Sequence, residues 1–335
     1  MNELPNVLID RFQRRVNYVR LSVTDRCDFR CVYCMTEDMT FAPKRHILTL
    51  EEIQEIGRAF VELGVGKIRL SGGEPLIRNN ILSLIESLGQ LPGLNQLAIT
   101  TNGSQLHRLA GNLRKLGITH INISLDSLQA RRFRQLTRHG SLDQVIAGID
   151  AAIAAGFEHI RLNTVVLKGR NADEVLDLVN FAHQRRIDIA FIEEMPLGLI
   201  DEHDRALSFC SSEELRHIIS RQYSLQPLGE PGDASGPARY YRTGNGPTRI
   251  GFISPHSQNF CHLCNRVRVT AEGRLLLCLG NEHSVDLRGV LRTSGYTRDV
   301  LKRTIVKAMA IKPERHHFNL AEPPQIVRFM NTTGG

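Results

Sequence analysis

Three cysteines fall within the nine-residue stretch "CDFRCVYCM" (27–35): Cys27, Cys31 and Cys34, in a C-x₃-C-x₂-C spacing. Three thiolates are one short of a closed tetrahedral metal site. Spacings of four and three residues wrap three sulfurs around one cubane, and a [4Fe–4S] cluster held that way keeps one iron without a protein ligand. An open iron binds and activates a small molecule, whereas a fully ligated cluster mostly passes electrons. The rival is a zinc site completed by a distant histidine, since no histidine lies in the motif. Cys261, Cys264 and Cys278 pose the same problem as C-x₂-C-x₁₃-C. Here the alternatives are zinc closed by His262 or His283, and a second cluster whose open iron faces a substrate. The seventh cysteine, Cys210 in "ALSFCSSEEL", reads as a small half-buried hydrophobe.

Other residue types point to charged ligands. "LSGGEP" (70–75) sets paired glycines and a carboxylate at a strand end. Such a turn exposes backbone N–H groups and can bring Glu74 against a cationic amine, or it is simply a tight βα turn with a carboxylate at a helix start. Arg266 and Arg268 alternate on a strand and so share one face. Paired guanidinium forks there suit a polyanion, against the commoner fate of an exposed arginine in a surface ion pair. The chain ends in Gly334-Gly335, a reaching tail or a frayed terminus.

The elements that must position these groups follow from hydrophobic periodicity. Strands are expected at 18–23, 67–72, 96–101, 120–125, 159–166 and 187–194, with amphipathic helices at 49–63, 79–89, 104–116, 141–155 and 171–185. Thr49 with Glu52 predicts a capping box, and Gly64 a helix end. Six βα units in a row imply a parallel sheet with right-handed crossovers, either an open partial barrel or a doubly wound sheet. In both, ligands gather at the carboxyl ends of the strands, where "SGGEP", "TTNG" and "MPLG" fall. The expected division is a barrel over 1–225, a Gly/Pro-rich junction over 226–248, and a smaller C-terminal α+β region over 249–335 with an "AEGR" hairpin turn.

Composition limits the function classes. The 335 residues carry a net charge of +7, scattered rather than gathered into a basic run with aromatics, so nucleic acid is not expected as a partner while a small polyanion is. No apolar run reaches membrane-spanning length, and six of the seven cysteines fall in two tight groups rather than a disulfide framework. A cytoplasmic protein is expected.

Taken together, the first triplet with Tyr33 before its last cysteine resembles the radical S-adenosylmethionine (SAM) superfamily. The resemblance implies a partial (βα)₆ barrel, in agreement with the strand count, and SAM chelating the open iron to yield a 5′-deoxyadenosyl radical. The stretch "FCHLCNRVRVTAEGRLLLCL" is similar to the GTP 3′,8-cyclase family, which performs the first step of molybdenum cofactor synthesis. "VRLSVTDRCDFRCVYC", "KIRLSGGEPLIR", "TTNG", "INISLDS" and the Gly-Gly end extend that similarity over nearly the whole chain. It implies two [4Fe–4S] clusters, on Cys27, Cys31 and Cys34 and on Cys261, Cys264 and Cys278. It assigns SAM contacts to Tyr33, Gly73, Glu74, Ser124 and Met195. GTP contacts fall on Arg20, Arg69, Thr100, Arg161, Arg266, Val267 and Arg268, and Gly334 and Gly335 reach into the active site. The implied reaction abstracts the ribose 3′ hydrogen of GTP and joins C3′ to C8 of guanine. The implied partners are a flavodoxin- or ferredoxin-type reductant, a cyclic pyranopterin monophosphate synthase receiving the product, and a second copy in a homodimer. Two positions depart from the family pattern. Arg161 stands where lysine is usual, and Ala190 in "AFIEEM" stands where arginine is common, with Glu194 adding a carboxylate. A weaker triphosphate grip is implied unless another basic residue compensates. The residues also leave two other readings: a radical SAM enzyme acting on another nucleotide or a peptide, and a non-enzymatic zinc-binding module.

Overall fold

A computed structural model describes residues 5–229, 236–244, 246–320, 322, 324 and 326–334. A short hairpin of β1 (Leu8–Ile9) and β2 (Arg15–Val16) leads into six parallel strands. These are β3 (Tyr18–Ser22), β4 (Lys67–Ser71), β5 (Gln96–Thr101), β6 (Ile118–Ser124), β7 (His159–Val165) and β8 (Asp188–Ile192). Between them run α1 (Leu50–Glu62), α2 (Ile81–Gly89), α3 (Leu106–Lys115), α4 (Ala130–Thr137), α5 (Leu142–Ala154) and α6 (Val175–Arg185). All six expected strands and five expected helices are present within a few residues of their anticipated bounds. α4 is the addition. Its sequence "ARRFRQLT" offers only Phe133 and Leu136 as large apolar groups, too few to show a period, and both are buried.

α1 shows why these segments fold as they do. Thr49 Oγ1 accepts from Glu52 N at 3.2 Å and Glu52 Oε2 accepts from Thr49 N at 2.8 Å, closing the expected capping box. Ile53, Ile56 and Phe60 recur at helical spacing and pack into the main core; truncating Phe60 to Ala there loses about 3–5 kcal/mol. Gly64 ends the turn at φ +85°, and a Cβ on it would lie 2.0 Å from the Asn6 carbonyl oxygen, so only glycine fits. Cys210 is 2% exposed in the same core, as a small hydrophobe.

Beyond β8 come α7 (Arg205–Ser208), α8 (Ser212–Ser220), β9 (Leu225–Pro227), β10 (Arg239–Thr243) and β11 (Arg249–Ile253). The chain continues through β12 (Arg266–Val269), β13 (Arg274–Leu276), β14 (Ser284–Asp286), α9 (Leu287–Leu291), α10 (Arg298–Met309) and α11 (Met330–Thr333). The expected C-terminal α+β region is built into the same sheet as the barrel strands. β12 pairs in parallel with β3 and β11 in parallel with β8, giving a twelve-stranded order β14-β13-β12-β3-β4-β5-β6-β7-β8-β11-β10-β9. The antiparallel neighbours β13 and β10 occupy the outer edges of β12 and β11, so the sheet stays open rather than closing into a barrel. Part of the expected junction, residues 230–235 and 245, lies outside the described residues, as does Gly335. Among the described residues no helix is long and apolar enough to cross a membrane.

Candidate active site

The two thiol triplets line one cavity of about 540 Å³, a size suited to a nucleotide-scale ligand. They enter it from opposite ends. Cys27, Cys31 and Cys34 lie on the loop that leaves the carboxyl end of β3, where Cys34 N and Met35 N both donate to Cys31 O. Cys261 and Cys264 precede β12, and Cys278 follows β13. Because β12 runs parallel to β3 with Arg266 opposite Tyr18, this second triplet sits at the amino end of the parallel strands. The five residues of β3 span the interval, roughly 15 Å at about 3.3 Å per residue. The motifs "SGGEP", "TTNG" and "MPLG" were expected at the carboxyl ends; the second triplet lies at the other end because its strand joins β3 from a distant part of the chain.

The first triplet is anchored by "SGGEP" and "TTNG". Gly73 N donates to Thr24 O and Glu74 N to Arg26 O, both at 2.8 Å, clamping the turn onto the cysteine loop. A Cβ at Gly73 would lie 2.2 Å from Arg26 O, and at Gly72 2.5 Å from Thr24 O, so the paired glycines are required for close approach. The expected exposure of this turn's N–H groups is corrected at Gly73 and Glu74, whose N–H groups are both engaged. Glu74 likewise is not among the residues lining the cavity. It is fully buried and accepts from Leu76 N (2.9 Å), Thr101 Oγ1 (2.8 Å) and Asn102 N (2.6 Å), with burial pushing its carboxyl up to about 8. Asn102 Nδ2 and Ser104 Oγ both donate to Asp28 at 2.6 Å, tying the loop to the end of β5.

Gly73, Tyr33, Ser124 and Met195 do line the cavity. Tyr33 Oη donates to Asp126 Oδ2 at 2.6 Å, and Asp126 also accepts from Val165 N. Burial raises Asp126 to about 6. Asp126 was overlooked although it lies inside "INISLDS"; its signal is a carboxylate just past a strand end. The thiols show the effect of burial too. Cys34 is pushed up to about 12, and burial with Glu74 nearby raises Cys27. A metal cation is what stabilises buried thiolates so placed. Among the described residues no group of three or more His, Cys, Asp or Glu side chains is arranged around a single ion. A cubane needs no such convergence, since each thiolate takes a different iron.

Between the triplets lies a ladder of cations. Register aligns Arg268 with Arg20 and Arg20 with Arg69 across β12, β3 and β4, and Arg266 with Tyr18 and Tyr18 with Lys67. In-register residues of parallel strands share a face. Arg20 and Arg69 both donate to Thr100 Oγ1, at 3.3 and 3.4 Å, and Arg69 Nε donates to Tyr18 Oη at 3.0 Å. Val267, between the two β12 arginines, is 1% exposed in the apolar core, so what it can offer a ligand is backbone. Among the described residues, Arg20, Arg69, Arg161, Arg266 and Arg268 have no carboxylate at ion-pair distance, and Arg20 Nε is buried without a partner. Burial with the neighbouring arginines brings Arg20 down to about 10 and Lys67 down to about 8. Burial alone would raise Tyr18, yet Arg69, Arg20 and Lys67 outweigh it and hold the phenol at about 7. Tyr18 and Lys67 were missed, though each stands two residues before a chosen arginine and alternation puts them on its face.

The two departures acquire a structural account. Arg161 Nη1 donates to Tyr240 Oη at 2.7 Å and its Nε to Asn163 Oδ1 at 3.0 Å. Ala190 is opposite Gly251, and a Cβ on Gly251 would lie 3.0 Å from the Tyr240 ring and 3.3 Å from the Ala190 Cβ. Small residues at both positions make room for Tyr240. Glu194 is neutralised: Arg205 Nε donates to it at 3.0 Å and His203 Nε2 lies 2.7 Å away. Arg249 from β11 also lines the cavity, paired with Asp188. Gly334 sits at φ +75° with its carbonyl accepting from Arg268 Nη1 at 2.6 Å, while Gly335 lies outside the described residues.

An open α/β sheet with a C-x₃-C-x₂-C loop after its first barrel strand defines a radical SAM protein, and residues 21–182 match the Radical SAM superfamily. Such proteins use SAM with a [4Fe–4S] cluster. Residues 187–318 match Molybdenum Cofactor Synthesis C. The chain is 63% identical over 328 residues to the GTP 3′,8-cyclase of Marinobacter nauticus, covering 98% of each. It is 58% identical over 336 residues to that of Pseudomonas entomophila, covering 100% of each. It belongs to the GTP 3′,8-cyclase family. Among solved structures, Streptococcus suis SuiB aligns with a TM-score of 0.60 over 90% of this chain and 68% of its own at 15% identity, a likeness of fold alone.

Proposed function

We propose that the chain converts GTP to 3′,8-cyclo-7,8-dihydroguanosine triphosphate, binding the nucleotide between its two sulfur triplets. The observation that carries this reading is the ladder Arg268–Arg20–Arg69, with Arg161, none of which has a carboxylate at ion-pair distance among the described residues, inside a cavity bordered by all six thiols. Buried like charges repel, and a polyanion is the partner that relieves them. A triphosphate presents oxygens that guanidinium forks engage two at a time.

Cys27, Cys31 and Cys34 would hold the SAM cluster, and Cys261, Cys264 and Cys278 a second [4Fe–4S] cluster. Bound there, SAM and the first cluster would supply, for one electron, a 5′-deoxyadenosyl radical able to take the ribose 3′ hydrogen. Closing C3′ onto C8 leaves an unpaired electron on the base, which a second electron from the reductant and a proton would quench, so the product is an isomer of GTP. The rest is the work of the chain. Tyr33, Gly73, Ser124 and Met195 border the SAM end. Arg20 and Arg69 orient through Thr100, and Tyr240 aims Arg161. The β10–β11 and β12–β13 strands flank the six parallel strands on both sides and would help keep water from a primary carbon radical. Gly334, held by Arg268, would bring the tail to the substrate. The further partners in this reading are a flavodoxin- or ferredoxin-type reductant, a cyclic pyranopterin monophosphate synthase receiving the product, and a second copy in a homodimer.

The test is anaerobic incubation of the reconstituted protein with SAM, dithionite and GTP. Mass spectrometry is expected to find 5′-deoxyadenosine and an isomerised, cyclised guanosine triphosphate in step. Deoxyadenosine without a cyclised nucleotide refutes the substrate, and neither product refutes the reaction class.

A further inference from the structure

Lys312 is 1% exposed, among the largest fully buried side chains of the molecule. It lies just past α10, where its N donates to Met309 O, and its Nζ donates to Cys264 Sγ at 3.4 Å and to Leu277 O at 2.8 Å. One ammonium thus touches both arms of the second triplet, a cysteine sulfur on one and the residue before Cys278 on the other. Among the described residues it has no carboxylate at ion-pair distance. A buried ammonium without an anion is strongly unfavourable, so the negative charge it answers must come from the sulfurs. Arg14 fixes the segment, donating to Cys261 O (2.7 Å), Glu314 O (2.6 Å) and Pro313 O (2.7 Å). The first triplet has different surroundings. Cys27 Sγ accepts from the uncharged Phe29 N at 3.3 Å and Asn102 Nδ2 at 3.8 Å, and lies 3.9 Å from the Asp28 carboxylate.

We propose that Lys312 is a positioning residue that sets the charge and reduction potential of the second cluster, through an ammonium hydrogen bond to Cys264 sulfur that the first cluster lacks. The inference rests on the two-cluster reading above. A cation hydrogen-bonded to a cluster sulfur favours the reduced state, which carries one more negative charge. The second site therefore takes an electron more readily than it would without the Lys312 ammonium.

The test is an EPR-monitored redox titration of the anaerobically reconstituted full chain, with a Cys27→Ala/Cys31→Ala/Cys34→Ala background isolating the second cluster. Lys312→Met is expected to shift its oxidised-to-reduced ratio at fixed potential about tenfold toward oxidised, a midpoint about 59 mV lower. Lys312→Arg keeps the charge and stays near wild type, and in chains that retain all six cluster cysteines the first cluster's midpoint does not move with either substitution. An unchanged second midpoint in a Lys312→Met protein that retains its iron overturns the inference. Should that variant lose the cluster, Lys312→Gln against Lys312→Arg decides: equal midpoints overturn it, and a lower one in Gln supports it. Wild type holding about four irons rather than eight, with the isolating background iron-free, overturns the two-cluster reading itself.

Discussion

Replacing Gly334 by Ala tests whether the tail must be seated for turnover. Gly334 adopts φ +75°, and a Cβ there would sit 2.5 Å from Ser71 Oγ and 3.3 Å from Ser22 Cβ. The left-handed backbone alone disfavours an L residue by about 1–2 kcal/mol. The Ser71 hydroxyl has no hydrogen-bond partner among the described residues and can turn aside, so the backbone term is the minimum. Unseating the tail also breaks the Arg268 Nη1 to Gly334 O bond, a charged hydrogen bond of about 1.5–3 kcal/mol. At the lower figure the ratio of seated to unseated tail falls about 5- to 30-fold. Formation of the cyclised nucleotide should fall with it, while iron content and SAM binding stay constant. Ser71→Gly in the same chain should recover only the clash and not the backbone term. Full turnover by Gly334→Ala would refute the reasoning, since neither strain nor lost contact would then matter.

Three further outcomes are expected. Gly73→Ala drives a Cβ into the Arg26 backbone at 2.2 Å, which no side-chain rotation relieves, so iron measured per chain should fall by about four while the second triplet keeps its share. GTP affinity, followed by calorimetry with pH, should weaken from pH 6.5 to 8.5. Deprotonation of Tyr18 near 7 adds negative charge beside the arginines and that of Lys67 near 8 removes positive charge, so both changes oppose a polyanion. Tyr18→Phe should flatten the lower part of that profile, and a pH-independent wild type would contradict the assignment. Tyr240→Phe frees Arg161 Nη1 and should weaken GTP binding by about 1 kcal/mol, roughly fivefold, without altering iron content.

How much was legible in advance differs by element. The six βα units announced themselves because each strand and helix carries its own local period, and the capping box at Thr49 needs only residues three apart. α4 gave no period because its eight residues carry only two large apolar groups, Phe133 and Leu136. β11 and β12 lie within the expected C-terminal α+β region, but their parallel pairing with β8 and β3 joins residues more than 60 and more than 240 positions apart, and nothing local encodes it.

The chain's one-dimensional order therefore determined which residues can bind iron, which can bind a polyanion, and what local elements carry them. Folding decided where these groups meet. Registry between β12 and β3 turns two separate arginine pairs into one ladder and sets the sulfur triplets at opposite ends of a cavity. It also engages Glu74 in holding a turn, and buries Lys312 against Cys264, 48 positions away. Spacing along a strand or helix is set by bond geometry and can be read from neighbours. Contacts between distant segments are set by how the core closes, and only the folded molecule records that.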